Sequence, residues 1–438
     1  MRKNEKQQTQ KNKEKRRREL RWEKLDNTAH LFPVIADSNM SNVYRISVTL
    51  KEEIRRELLQ DALNLVLSRV DGFNLRLRKG VFWYYFEENG KPAPRVRQEN
   101  TYPCRFIIQN KNRSYLFRVT YFGCRINLEV FHVLTDGMGG INFLKELTYQ
   151  YLRLSHPEEF AGKDSLSSDT SLNREDSFLG NYRKSHPKEY KTQKAFTIKG
   201  EKLPKGQMGV IHGYMNIPEL KKACWSYGLS INEYLVAVFA YSVYQACHRG
   251  KPDEKPIRVA VPVNLRPYFQ SVTTKNFFVM VSAEFSPELR EGLYSFREVA
   301  EIVRDSLRSQ ITKEHLEDLF SYNVSNQMNI IARAVPLPLK NLGIKTVYTS
   351  AALANTSTVT NIGNIAVEEE YREYIRSFHA ILAMSKGQGL KGTICSYGDT
   401  LTFTFSSIFE EPVVQRCFFR QISQDGVPVE IESNGVYV

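Results

Sequence analysis

The stretch CRINLEVFHVLTDGMGGINFLKELTYQYL (residues 124–152) decides how this chain is read. Over 124–133 the side chains alternate, with Ile126, Leu128 and Val130 on one face and Arg125, Asn127 and Glu129 on the other, which predicts a strand. The same period of two carries His132 onto the apolar, inward face and turns Phe131 to the opposite one. Asp136 then opens a turn in which Gly137, Gly139 and Gly140 permit tight backbone geometry, and a helix follows over 141–152. A histidine at the end of a buried stripe is partly desolvated, which lowers its pKa and favours the neutral imidazole that a proton acceptor requires. Taken alone, a His and an Asp at this spacing read more simply as a packed core histidine and a helix cap.

Working outward, residues 51–70 carry a helical period with one apolar face, and strand-like runs occupy 43–50, 73–78, 81–86, 104–109 and 114–121. Residues 21–155 thus form a first subdomain, a helix on a largely antiparallel sheet. Residues 156–205 turn polar and lose periodicity, which marks a linker. The second subdomain, 206–438, alternates strand patterns (209–217, 257–263, 277–285, 356–367, 378–384, 390–397 and 401–406) with helical ones (218–227, 231–249, 294–334 and 412–424). Ser230 is a plausible N-cap. The expected class is mixed α/β (α+β) with two sheets.

At 438 residues two domains are expected, and 42% hydrophobic with 12% aromatic residues excludes global disorder. The longest apolar stretch, 234–246, falls short of the ~20 residues needed to span a bilayer, so it reads as a buried helix. Much of the net charge of +13 sits in a flexible basic tail, residues 1–20, whose first 18 residues hold nine Lys or Arg against two Glu. Such a tail is a solvated arm or a peripheral contact for an acidic membrane surface, and no nucleic-acid partner is expected. With no apolar run behind those charges, a cytoplasmic location is expected. Six scattered cysteines without a short paired spacing predict neither a metal site nor a disulfide framework.

His132-Val-Leu-Thr-Asp136-Gly137 resembles the HxxxDG motif of the coenzyme A-dependent acyltransferase superfamily, which includes chloramphenicol acetyltransferase, condensation domains, wax-ester synthases and alcohol acetyltransferases. In order along the chain, Leu25-Asp26-Asn27 resembles the alcohol acetyltransferase opening, residues 261–267 (VPVNLRP) the PVxLR segment, and Thr360-Asn361-Ile362-Gly363 the SNxG element. The resemblance implies two chloramphenicol acetyltransferase-like subdomains, each a mixed sheet flanked by helices, with a reaction tunnel between them. His132 would be the general base and acyl-coenzyme A a co-substrate, with no permanently bound cofactor. Asp136 and Gly137 would hold the loop, with Arg266 as the partner of Asp136. Oxyanion or substrate donors would come from Ser357, Thr358, Thr360 and Asn361, although alternating Ser and Thr also reflect strand propensity. Gly363 would allow close approach of coenzyme A. Lys386 and Lys391, in a glycine-rich basic loop that also reads as a plain hairpin turn, are candidates for its phosphates. Phe131 stands where condensation domains and wax-ester synthases often carry a second histidine, which favours the alcohol acetyltransferase branch. The expected reaction is transfer of an acetyl or short acyl group from coenzyme A to an alcohol. The alternatives are condensation of a carrier-bound thioester with an amine, and a silent member that binds a ligand or partner.

Overall fold

The computed structural model describes residues 22–187, 193–248, 255–288, 292–329 and 334–437. The basic tail over 1–20 lies outside the described residues, and the membrane contact expected of it finds no support among them; no helix there is long and apolar enough to cross a membrane.

The first half runs β1 (Trp22–Lys24), β2 (Val43–Leu50), α1 (Arg56–Leu67), β3 (Leu75–Lys79), β4 (Tyr84–Glu88), β5 (Arg97–Gln98), β6 (Phe117–Phe122), β7 (Arg125–Phe131) and α2 (Gly137–Ser155). The second contains β8 (Gly209–Asn216), α3 (Ile217–Ser226), α4 (Ile231–Val243), β9 (Ile257–Asn264), β10 (Phe278–Phe285), α5 (Phe296–Gln310), α6 (Lys313–Met328), α7 (Leu337–Leu353), β11 (Ser357–Asn364), β12 (Ile375–Leu382), β13 (Leu390–Tyr397), β14 (Thr400–Ser407), α8 (Val413–Gln424) and β15 (Glu430–Ser433). These strands build three sheets among the described residues, ordered β12-β2-β7-β6-β5, β1-β4-β3 and β10-β9-β11-β13-β14-β8-β15. The mixed α/β class is as expected; the count of two sheets is not, because β1, β3 and β4 form a small sheet of their own.

Periodicity places α1 and α4 well. In α1, Leu59, Ala62, Leu63, Val66 and Leu67 are buried, the i, i+3, i+4, i+7, i+8 stripe of one helix face. Helix α4 is buried on nearly every side, and Ser230 and Glu233 close a capping box at its start. The helical pattern over 294–334 resolves into α5 and α6. Helix α7 escaped the sequence reading because Leu339, Leu342 and Val347 point outward and leave no apolar stripe to detect.

Two features depart from simple alternation. Asn127 and Glu129, on the polar face of β7, are fully buried rather than solvated. Glu129 accepts from Arg45 Nη2 at 2.8 Å, from the Cys104 backbone N–H at 2.6 Å and from Arg118, so the polar face packs as a neutralised ion network. The second departure is β12. Although it belongs to the second half by sequence, it pairs antiparallel with β2 and completes the first sheet, so the boundary at 205 does not separate the two cores. On its other edge, the carbonyls of Phe378, Ala380 and Leu382 accept from the side chains of Cys395, Thr393 and Ser406 on β13 and β14. An edge strand is thereby covered by side chains of the other sheet.

Candidate active site

β7 ends at Phe131, and His132 follows as the first residue beyond the strand, its N–H held by the Asn42 carbonyl at 2.9 Å. The imidazole lies between aromatic rings: Phe32 stacks on it with centroids 4.6 Å apart, Tyr44 meets it edge-on at 5.1 Å, and Phe278 lies at 5.6 Å. Phe131 is buried in the core of the first half and does not line the cavity around His132. His132 is half-buried and lines a cavity of about 310 Å³ between the five-stranded and seven-stranded sheets. The walls come from both halves of the chain: Phe32, Ile35, Val43 and Tyr44 from one, Phe278, Met280, Leu382 and Ala383 from the other.

The tautomer of His132 follows from its partner. Asn276 Oδ1 stands 3.0 Å from His132 Nδ1, while Asn276 Nδ2 donates to Asp26 Oδ2 at 2.9 Å. With its amide nitrogen committed to a carboxylate, Asn276 presents only an acceptor, so Nδ1 carries the proton. Nε2 has no hydrogen-bond partner among the described residues and is left with its lone pair. Burial among the rings holds the imidazole below its usual pKa of 6.5, against the opposing pull of Asp136 and Asn276. Asp26 is anchored by the Ala29 N–H at 2.7 Å, and burial pushes its carboxyl up to about 7.

Asp136 caps α2, its Oδ1 accepting from the Met138 and Gly139 N–H groups at 3.2 and 3.3 Å. Arg266 clamps the same carboxylate with Nη1 to Oδ2 at 2.9 Å and Nη2 to Oδ1 at 3.1 Å, and the Phe277 N–H adds a bond of 3.0 Å. The remaining Arg266 donors reach the Thr273 and Lys275 carbonyls and Asn264 Oδ1. Such a planar fork on a carboxylate fixes geometry as well as charge. It joins the turn after β7 to the β9–β10 connection, and the carboxylate makes no hydrogen bond to His132.

The glycines of the turn differ in why they are there. A Cβ at Gly137 would meet nothing closer than 4.0 Å, and Gly137 lines the cavity, whereas one at Gly139 would sit 1.9 Å from Thr135 Oγ1 and 2.5 Å from the Thr274 backbone carbonyl. Gly139→Ala is therefore expected to destabilise the protein by ~1–3 kcal/mol, as overpacking does. A urea titration that gives the wild-type midpoint for this variant would contradict the close approach.

The remaining sequence candidates separate by geometry. On β11, Thr358 and Thr360 face the cavity, but Ser357 points the other way and donates to the Leu390 carbonyl at 2.6 Å, which removes it as a substrate donor. Thr358 donates to Gln388 Oε1 at 2.8 Å. Thr360 has no hydrogen-bond partner among the described residues, so its hydroxyl is free to serve the cavity. Asn361, at the rim, holds Asn232 Oδ1 and the Gly363 N–H. Gly363 takes φ +88° beside the irregular register between β11 and β13, outside the cavity lining. Lys391 lies buried inside the cavity on β13, whereas Lys386 is exposed on a separate surface recess that shares Ser385 with it. Among the described residues no cluster of three or more potential metal ligands occurs.

Asn276 escaped the sequence reading: it sits in a run, TTKNFF, with no recognisable pattern, 144 residues from His132. Asp26 carries a sequence signal only as part of the Leu25-Asp26-Asn27 opening, and its tie to Asn276 has none.

No protein-family model matches the chain, and no curated protein matches it. Solved structures do. Polyketide synthase associated protein 5 from Mycobacterium tuberculosis aligns over 91% of this chain and 97% of its own, at 14% identity and a TM-score of 0.58. TRI101 of F. sporotrichioides, complexed with coenzyme A and T-2, aligns over 94% and 99%, at 10% identity and 0.61. The first condensation domain of the calcium-dependent antibiotic synthetase, in complex with a substrate analogue, aligns over 92% and 96%, at 13% identity and 0.62. At these identities the likeness concerns architecture, and over nearly its whole length the chain has the two-subdomain fold that TRI101 and the condensation domains share.

Proposed function

We propose that this chain is an acyltransferase that moves an acetyl or other short acyl group from coenzyme A to an alcohol, with His132 as general base. The observation that carries the reading is the single open nitrogen of His132: Nδ1 is tied through Asn276 to Asp26, and Nε2 remains the proton acceptor of a residue that lines a cavity between two sheets. The coenzyme A complex of TRI101, a protein of the same fold, supports thioester chemistry in a cavity of this kind.

In this reading Nε2 takes the proton of the acceptor hydroxyl as its oxygen bonds to the thioester carbonyl carbon. Thr360 donates to the oxygen on which negative charge gathers. The tetrahedral adduct then collapses, the C–S bond breaks, and the departing thiolate takes the proton back from Nε2. An ester and free coenzyme A result, with no acyl-enzyme. Asn276 and Asp26 position the imidazole, and Asp136 with Arg266 holds the turn that carries it. Gly137 leaves room beside the base, and exposed Lys386 is the candidate for the coenzyme A phosphates.

The direct test is release of free thiol from acetyl- and longer acyl-coenzyme A with a panel of alcohols. Because burial holds the imidazole below its usual pKa of 6.5, the acid limb set by His132 should be centred below 6.5. An acid limb of kcat/KM centred at 7 or higher would contradict this assignment. Transfer from an acylated carrier protein, with none from acyl-coenzyme A, would replace the reading by the condensation alternative.

A further inference from the structure

Lys391 is 6% exposed in the wall of the His132 cavity. Its Nζ donates to Ser385 Oγ at 2.5 Å, and Ser385 and Tyr348 line the same cavity. Among the described residues it forms no ion pair, and of its three N–H donors one has a side-chain partner. Burial lowers its pKa to about 8, so the ammonium form still prevails at neutral pH. Its charge also opposes protonation of His132, so the two groups sense each other within one cavity. A buried cation without a counter-charge is costly, whereas one that meets an anion on binding gains a charge-assisted hydrogen bond. The cavity wall is mainly apolar, with Leu31, Ile35, Val43, Met280 and Leu382 set beside polar Asn42, Thr358, Thr360 and Asn361.

Resting on the acyl-transfer reading, we infer that Lys391 selects a substrate with an apolar chain that ends in a carboxylate, borne either by the acyl group or by the acceptor. Ser385 orients the ammonium, and the chain lies along the apolar part of the wall toward His132.

Two measurements on the full chain test this. The first is calorimetric binding of octanoate and of octanol. Wild type should bind octanoate at least about tenfold more tightly, the difference that one hydrogen bond to a charged group makes, and Lys391→Met should erase that preference. Equal affinity for the two probes in wild type overturns the proposal without reference to any variant. The second compares kcat/KM in two arms, a dicarboxylic monoacyl-coenzyme A against its monocarboxylic analogue, and a hydroxy acid against the corresponding alcohol. Preference for the charged member in one arm identifies which substrate carries the group, and Lys391→Met should cut that ratio by about tenfold or more. A ratio unchanged in Lys391→Met overturns the proposal. If octanoate binds through Lys391 but no acyl transfer occurs, the selectivity stands and the acyltransferase reading fails.

Discussion

Replacing His132 by alanine should lower kcat by about 10²–10⁴-fold, the usual contribution of a positioned general base, while the chain keeps its fold. His132 sits beyond the end of β7, lines the cavity, and makes one side-chain hydrogen bond, to Asn276. Its other contacts are ring packing against Phe32, Tyr44 and Phe278, which line the cavity, and its loss removes a proton acceptor from it. The measurement is steady-state thiol release beside a denaturation curve. Asn276→Leu supplies a graded comparison, because it leaves the imidazole in place but frees its tautomer and orientation. Its defect should be in kcat more than in KM. Full activity in His132→Ala would sink the mechanism.

Asp136→Ala should behave in the opposite manner, as a stability defect of ~3–5 kcal/mol, the cost of stripping one partner from a buried ion pair. The substitution strands the Arg266 guanidinium, whose side chain is 11% exposed, and orphans the N–H groups of Met138, Gly139 and Phe277. Since these groups lie on both halves of the chain, the loosening falls on the wall between the sheets. Adding Arg266→Ala to Asp136→Ala should cost less than the sum of the single variants, because the second change removes the stranded charge. Chemical denaturation of the four proteins reads this coupling. A wild-type midpoint for Asp136→Ala combined with lost activity would instead make Asp136 part of the proton path.

Much of this was legible in residues 124–152, where a strand, a turn and a helix each follow a local rule and so can be read locally. The pairing of Asp136 with Arg266 could be anticipated only through the family resemblance, since 130 residues separate them. Ser357 was misassigned for a definite reason: a run of alternating Ser and Thr defines two faces but does not say which one meets the cavity. Asn276 was missed because its role arises where two loops distant in sequence converge. The burial of the polar face of β7 was not legible, because the sequence does not announce that Arg45 and Arg118 will cover Glu129.

The placement of β12 governs the order in which this protein can assemble. During synthesis β2 and β7 emerge early, yet the neighbour that occupies the free side of β2 is made only after most of the chain. Until then the nascent first half presents an unsatisfied strand edge, the kind of surface that recruits other chains. The chain should therefore have a late, vulnerable stage on the ribosome, and a fragment ending in the 156–205 segment should aggregate when produced alone. Supplying residues 206–438 as a separate polypeptide should restore solubility, since that piece carries the missing strand.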